Sequence, residues 1–349
     1  MKRIRDFFWP AIGLVAVVWS VRLLYVKMQA EVSADPAVKA RLDALGLWGD
    51  VQVISSVIAE KLTGIPPTAY LLAFASTLLA YAALAWYDRI ALIHLNRQRG
   101  ISFIYVAVCS FVTYALSHNI GASVFSGGMV RFRAYTAKGL SAAEVAVLVG
   151  LCSYTFAFGV IILLGLVLVW EPGILAPLSE LSASFGLSEM AARGFGVALL
   201  AFCALYTIGS WRHFPPLKIG GFELVYPRLP IVARQYIAAP LELIGAAGII
   251  YFALPHENTT FMLVLGAFLL SFSAGLLSQV PGGVGVMEAV FLAIMPQVPA
   301  TSVFAALLVW RLFYLILPLV ASIPVVLLFE RSQLGKATRN IDPPTALHR

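Results

Sequence analysis

The sequence runs to 349 residues, 60% hydrophobic and only 12% charged, with a mean hydropathy of +0.90. No soluble fold of this size could cover so much apolar surface with so few charges, which excludes a soluble domain. The excess of base, 24 Lys+Arg over 17 Asp+Glu, reads as the positive charge of cytoplasmic loops and not as a nucleic-acid interface.

A helix needs about 20 apolar residues to cross a bilayer. Phe7–Val26 is the first such stretch, behind Lys2, Arg3 and Arg5. That start resembles a signal-peptide n-region, but Val32-Ser33-Ala34 is a weak cleavage site, so the span reads as a retained anchor. Leu45, Trp48, Val51, Ile58 and Leu62 then recur at helical spacing, with Asp50, Gln52, Ser55 and Lys61 opposite. This predicts an amphipathic helix, either on the bilayer surface or packed as a lid over the spans. The apolar stretches Pro66–Tyr87, Ile101–Ser117, Ala142–Trp170, Ala191–Ser210, Gln235–Leu254, Thr260–Val280 and Thr301–Phe329 follow. Gly121–Val130 and Val284–Met295 are too short to cross alone. Cys109, Cys152 and Cys203 lie in apolar stretches without CxxC spacing, so they read as small core residues and not as disulfide or metal ligands.

Charge orients these stretches. Lys2, Arg3 and Arg5, then Arg89, Arg97 and Arg99, place the N-terminus and the loop after the second span in the cytoplasm. Glu171, Glu180 and Glu189 mark an external loop, while Arg212, Lys218, Arg228 and Arg234 mark a cytoplasmic one. The tail, with Arg331, Lys336, Arg339 and Arg349, is cytoplasmic again. Ile101 starts in the cytoplasm and Arg131, Arg133 and Lys138 belong there too, so the chain between them must enter and return on one side. By the same logic Thr260–Pro299 enters from outside and returns outside.

The expected fold class is therefore an all-α polytopic membrane protein of about six full spans. Two re-entrant Gly-rich helical hairpins, near 101–134 and 260–299, would add to these as a candidate inverted repeat. Residues 1–65 would hold the anchor and surface helix, 66–330 the membrane domain, and 331–349 a basic cytoplasmic tail.

The hairpin turns look alike: Ser117-His118-Asn119-Ile120-Gly121, running on to Gly127-Gly128, and Ser278-Gln279-Val280-Pro281-Gly282-Gly283, running on to Gly285 and Glu288. Each precedes a short apolar segment and then an unusually long span. Ser141 with Glu144 fits a capping box and marks the start of one of those spans. A broken helix inside a bilayer leaves N–H and C=O groups that must be buried in protein or face a water-filled cavity. The N-termini of the returning half-helices, roughly Ala122–Tyr135 and Val284–Met295, favour an anion such as phosphate. The plainer alternative is that the Gly pairs only let helices pack closely.

An ionisable group at the bilayer midplane costs about 2.5–3.5 kcal/mol on insertion scales, so each one needs a reason. Arg311 lies well inside the last span, Glu242 inside an earlier one, and Glu288 on the second returning half-helix. A buried pair between Arg311 and either Glu242 or Glu288 is expected, with Glu288 nearer in sequence. Asp88 and Arg131 sit near span boundaries, where a cap or an orientation signal would also explain them. His118 could pass a proton or serve as a hydrogen-bonded structural residue. Pro318 and Pro324 are expected to kink the last span.

Soluble-enzyme motifs are absent. Gly283-Val284-Gly285 lacks a third glycine, and His256-Glu257 lacks the second His of a zinc-protease helix. No cofactor or metal site is expected, and catalysis is disfavoured.

Several pieces resemble the lysylphosphatidylglycerol synthase transmembrane family, the flippase-like membrane domain of the multiple peptide resistance factor. They are Tyr87-Asp88, Arg131-Phe132-Arg133-Ala134-Tyr135 with Gly139-Leu140-Ser141, Pro281-Gly282-Gly283 with Glu288, Arg311 with Pro318, and Pro240-Leu241-Glu242. The resemblance spans Pro66 to Phe329. It implies movement of a polar lipid between leaflets of a bacterial inner membrane. With only 330–349 after Phe329, the synthetase domain of the bifunctional members is expected to be missing, which leaves the lysyl lipid itself in doubt.

The leading expectation is a lipid flippase whose partners are membrane phospholipids and, in one version, a separately encoded synthetase. The half-helix N-termini would hold the lipid phosphate, Glu242 and Glu288 would meet a cationic headgroup, and Arg311 would balance them. A membrane-embedded lipid-modifying enzyme and a non-transporting scaffold for a synthetase are the alternatives.

Overall fold

The computed structural model describes residues 51–120, 123–177, 188–214, 217–219, 222–224, 226–257, 259–278 and 280–339, with Arg22, Tyr25, Val26 and Gln29 before them. The expected anchor Phe7–Val26 and the amphipathic positions Leu45, Trp48 and Asp50 otherwise lie outside the described residues, as do Gly121 and the end of the basic tail. The side chain of Pro281 is likewise not described.

The described chain is helical throughout its apolar stretches. Helices α1 (Pro67–His94), α2 (Phe103–Ile120), α3 (Ser123–Thr136), α4 (Ala142–Trp170), α5 (Glu189–Arg212) and α6 (Leu229–Ala253) are followed by α7 (Phe261–Leu277), α8 (Val286–Ile294), α9 (Ala300–Trp310) and α10 (Leu317–Arg339). A two-stranded antiparallel ribbon, β1 (Leu217–Ile219) with β2 (Phe222–Leu224), occupies the basic loop between α5 and α6. Among the described residues, five helical stretches are long and apolar enough to cross a membrane: α1, α4, α5, α6 and the continuous run Ala300–Phe329. Each coincides with an expected full span. Helices α2 and α3 pack on each other, as do α7 and α8.

Local chemistry places the ends. Ser141 Oγ accepts from the Glu144 N–H, and Glu144 accepts from the Ser141 N–H at 2.8 Å, closing the capping box that starts α4. Arg97 then grips the Glu144 carboxylate at 2.6 and 3.2 Å, tying the loop after α1 to the start of α4. Residues 51–64 are helical, and their most buried residue is Ile54, packed near Tyr25 and Phe304, while Val51 stays exposed. Ile58 and Leu62 of the expected face turn inward beside Ile54, and Gln52, Ser55 and Lys61 opposite them stay exposed, so the expected apolar side is the one that packs, against α9.

Helix α6 is the hub. Its small residues let neighbours approach closely, which is how helices associate where the solvent is itself apolar. A Cβ on Gly245 would lie 2.9 Å from Ala80 N and Ser76 O of α1. One on Gly159 of α4 would lie 2.9 Å from the Ala239 backbone carbon. The outward faces are apolar: Leu71 and Leu78 of α1, Phe195 and Leu205 of α5, and Val320 and Leu327 of α10 are all exposed. Such a belt has no place in water and suits lipid chains.

The last span carries a wide π turn at Arg311–Ile316, just before Pro318. A proline cannot donate to the carbonyl four residues back, here that of Tyr314. That carbonyl instead accepts from the Tyr81 hydroxyl at 3.0 Å, and the Leu315 carbonyl accepts from the Asn119 side-chain amide at 3.2 Å. The freed backbone groups are satisfied from α1 and α2, as burial in a membrane requires.

Candidate functional site

Among the described residues, two guanidinium–carboxylate pairs lie inside the bundle. In the first, Arg131 of α3 donates to Asp88 Oδ1 of α1 from Nε at 3.0 Å and from Nη2 at 2.7 Å. Tyr135 donates to Oδ2 at 2.9 Å, and the Cys152 thiol of α4 lies 3.2 Å from Oδ1. The Arg131 guanidinium also stacks 4.8 Å above the Tyr114 ring of α2. Asp88 is 0% exposed. It neither caps α1 nor sits at a wet boundary; it joins three helices.

In the second pair, Arg311 opens the π turn and meets Glu288 of α8. Its Nε and Nη2 lie 2.7 and 2.5 Å from Glu288 Oε1, and its Nη1 donates to the Gly282 carbonyl at 2.8 Å. The other Glu288 oxygen accepts from the Gly285 N–H at 2.8 Å. Of the two carboxylates open to Arg311 from sequence, the geometry selects Glu288. The N-terminus of α8, expected to face an anion, is met by the carboxylate of its own third residue. Gly282 and Gly283 have φ of +60° and +61°, a left-handed conformation that costs other residues about 1–2 kcal/mol. Here the glycines serve backbone conformation. Gly127 serves close approach, since a Cβ there would lie 3.1 Å from Thr113, while Gly128 has room to spare.

Glu242 of α6 is separate from both pairs. Tyr314 donates to its Oε1 at 2.5 Å, and the Tyr87 hydroxyl lies 3.4 Å from both its Oε2 and the Ala239 carbonyl. His118, at the end of α2, is stacked on the Tyr314 ring at 5.4 Å and flanked by Tyr114 and Phe272. Its Nδ1 has no hydrogen-bond partner among the described residues.

These groups converge on one cavity. A space of about 290 Å³ is lined by Tyr114, Ser117 and His118 of α2, Arg131 of α3, Cys152 and Ser153 of α4, Glu242 of α6, and Leu276 and Leu277 of α7. The end of α2 also packs against the Pro281–Gly283 turn, so the breaks of the two helical hairpins lie near each other. A second, mostly apolar cleft of about 260 Å³ opens between α2, α3 and α10, with Tyr105 and Arg133 among its lining residues. Thus Arg131, Glu242 and His118 share a cavity, Asp88 sits directly behind Arg131, and Glu288 with Arg311 forms the support under the second turn. Sequence reasoning gave no site role to Tyr87, Tyr114, Tyr135 or Tyr314, and took Cys152 only as a small core residue. Three of these tyrosines lie inside the motifs that carry the resemblance, and a buried tyrosine hydroxyl usually takes a hydrogen-bond partner.

The chain is 31% identical over 287 residues to slr0712, an uncharacterized protein of Synechocystis, covering 81% of this chain and 84% of that one. The chain belongs to the family of slr0712. It is also 29% identical over 232 residues to the inner membrane protein YbhN of Escherichia coli, covering 64% of this chain and 69% of that one. No model of a known family matches the sequence. The second likeness and the five apolar helices together make this an integral membrane protein.

Proposed function

We propose that the protein is an inner-membrane lipid transporter that passes a polar headgroup between leaflets while the acyl chains stay in the bilayer. The observation that carries this reading is the cavity. Its lining carries Arg131, His118, Ser117 and Glu242 among apolar residues, and it lies within a bundle whose outer faces are apolar. Such an arrangement offers a headgroup a path through a region where an unpaired charge would otherwise be costly. The neighbouring breaks in α2–α3 and α7–α8 support reading them as two re-entrant hairpins of an inverted repeat, a plan under which the site lies at the repeat interface.

Under this reading the full bundle has six spans, the first being Phe7–Val26, with both termini in the cytoplasm. Arg131 meets the lipid phosphate. Glu288 and Arg311 hold the second turn in shape and do not contact cargo, because, unlike Arg131, neither lines the cavity. The partners are membrane phospholipids, together with whatever synthetase makes the cargo. The resemblance to the lysylphosphatidylglycerol synthase membrane family supports lipid movement, and the protein acts as a carrier, not an enzyme. Cells with and without the protein are compared for the lipids that a membrane-impermeant amine reagent or phospholipase reaches in the outer leaflet. A shift of one lipid class between leaflets at constant total amount supports transport. A chemically new lipid would instead point to an enzyme.

A further inference from the structure

Among the described residues, three carboxylates are buried between the membrane helices, and their surroundings differ in kind. Asp88 has Arg131, a tyrosine and a thiol around it. Glu288 has Arg311 and a backbone N–H. Glu242, only 1% exposed, has two phenols and no cation within ion-pair distance among the described residues. Two neutral donors do not offset the loss of water around an ionised carboxylate in an apolar interior.

A neutral carboxylic acid suits the same geometry. Oε1 keeps the hydrogen bond donated by Tyr314. A proton on Oε2 points to the Tyr87 oxygen, and the Tyr87 hydroxyl turns its own proton to the Ala239 carbonyl, with which it is equidistant at 3.4 Å. Every polar atom of the set then has one role. Tyr87 of α1 and Tyr314 of the π turn meet Glu242 directly, with Tyr81 of α1 bonded to the Tyr314 carbonyl. Tyr114 and His118 of α2, Arg131 of α3 and Cys152 of α4 line the same cavity. Of the other helices on α6, α5 places Tyr206 on Gln235 and α9 carries no titratable residue. Helix α7 carries no titratable residue. Arg131 is the one full cation in that set, and it lines the same cavity as Glu242.

We propose that Glu242 is a proton-binding site, a neutral acid in the arrangement seen here, which ionises against the Arg131 side of the cavity when that cavity fills or opens. The proton leaves Oε2 to water in the cavity and returns by the same path. This deepens the lipid-transport reading and rests on it only for its consequence, that headgroup passage is linked to proton movement.

The test uses the full chain in lipid vesicles. Infrared difference spectroscopy at neutral pH should show the carbonyl stretch of a buried carboxylic acid. That band should vanish in Glu242→Gln, an isostere of the neutral acid that leaves the fold intact, and persist in Glu288→Gln. Spectra of wild type and Glu242→Gln that coincide in this region overturn the proposal. The second arm measures exchange of a labelled phosphatidylglycerol under an imposed pH gradient. Wild-type rates should follow the gradient, by up to about tenfold per pH unit for one site, and Glu242→Gln should be indifferent to it. Exchange that proceeds with the same gradient response in both proteins overturns the linkage. A Glu242 band in vesicles that move no lipid supports the proton site while sinking the transport reading.

Discussion

Arg131 donates twice to a single oxygen of Asp88, at 3.0 and 2.7 Å, and the same arginine lines the cavity that Glu242 and His118 also line. The pair therefore has two roles. It fastens α3 to α1, and it holds a positive group at the cavity wall without leaving an uncompensated charge in the membrane interior.

Removing one member of that pair should expose the dependence. Asp88→Asn or Arg131→Gln leaves a buried charge without its partner, at a cost of about 3–5 kcal/mol. The double substitution should be distinctly more stable than the sum of the singles predicts. Thermal unfolding of the four proteins in nanodiscs gives the coupling energy directly.

The second pair makes a different prediction, because Arg311 and Glu288 hold a turn and not a cavity wall. Glu288→Gln should weaken the Arg311 contact and the hydrogen bond from the Gly285 N–H together. Amide exchange over 281–288 should rise, with little change in α1 and α6. Arg311→Lys should not restore protection, since one ammonium cannot reach both the Gly282 carbonyl and Glu288 in the forked geometry of a guanidinium.

Glycines separate packing from conformation. Gly159→Val or Gly245→Val would push a side chain into the backbone of α6 or α1, where even a Cβ comes within 2.9 Å. Overpacking there should cost about 1–3 kcal/mol or more and lower the yield of folded protein. Gly150→Ala, with nothing within 4 Å of the new Cβ, should be neutral or stabilising by up to about 1 kcal/mol. Size-exclusion profiles after heating distinguish the two groups.

How far the sequence carried the reading follows from the kind of physics involved. The spans were legible because twenty apolar residues have few other uses, and the Ser141–Glu144 cap because its spacing is its mechanism. The partner of Arg311 was open from sequence. It was decided by the left-handed Gly282–Gly283 turn, which brings a carbonyl and the Glu288 carboxylate to the same guanidinium. Asp88 read as a boundary residue because its position in α1 says nothing about α3 and α4, which cover it. The tyrosines were missed for the reverse reason: in a chain this rich in aromatics, no local pattern separates Tyr314 from its neighbours. On 51–64 the packed side was legible through Ile58 and Leu62, while the central place of Ile54 was not, because Phe304, more than two hundred residues away in sequence, covers it.

Orientation is open to a direct check. In a background with Cys109, Cys152 and Cys203 replaced, Gly100→Cys should react with an impermeant maleimide only when the cytoplasmic face is accessible. Glu257→Cys should react only from the periplasmic face. Both positions lie in exposed loops, so an inverted pattern would reverse the proposed topology.

The most direct measurement of the central claim is leaflet exchange of fluorescent phospholipids, of several headgroup classes, in vesicles containing the purified protein. The account predicts exchange faster than in empty vesicles for at least one headgroup, and slowed at least tenfold by Arg131→Ala in protein that remains folded. Equal rates in protein-containing and empty vesicles for every headgroup would contradict it.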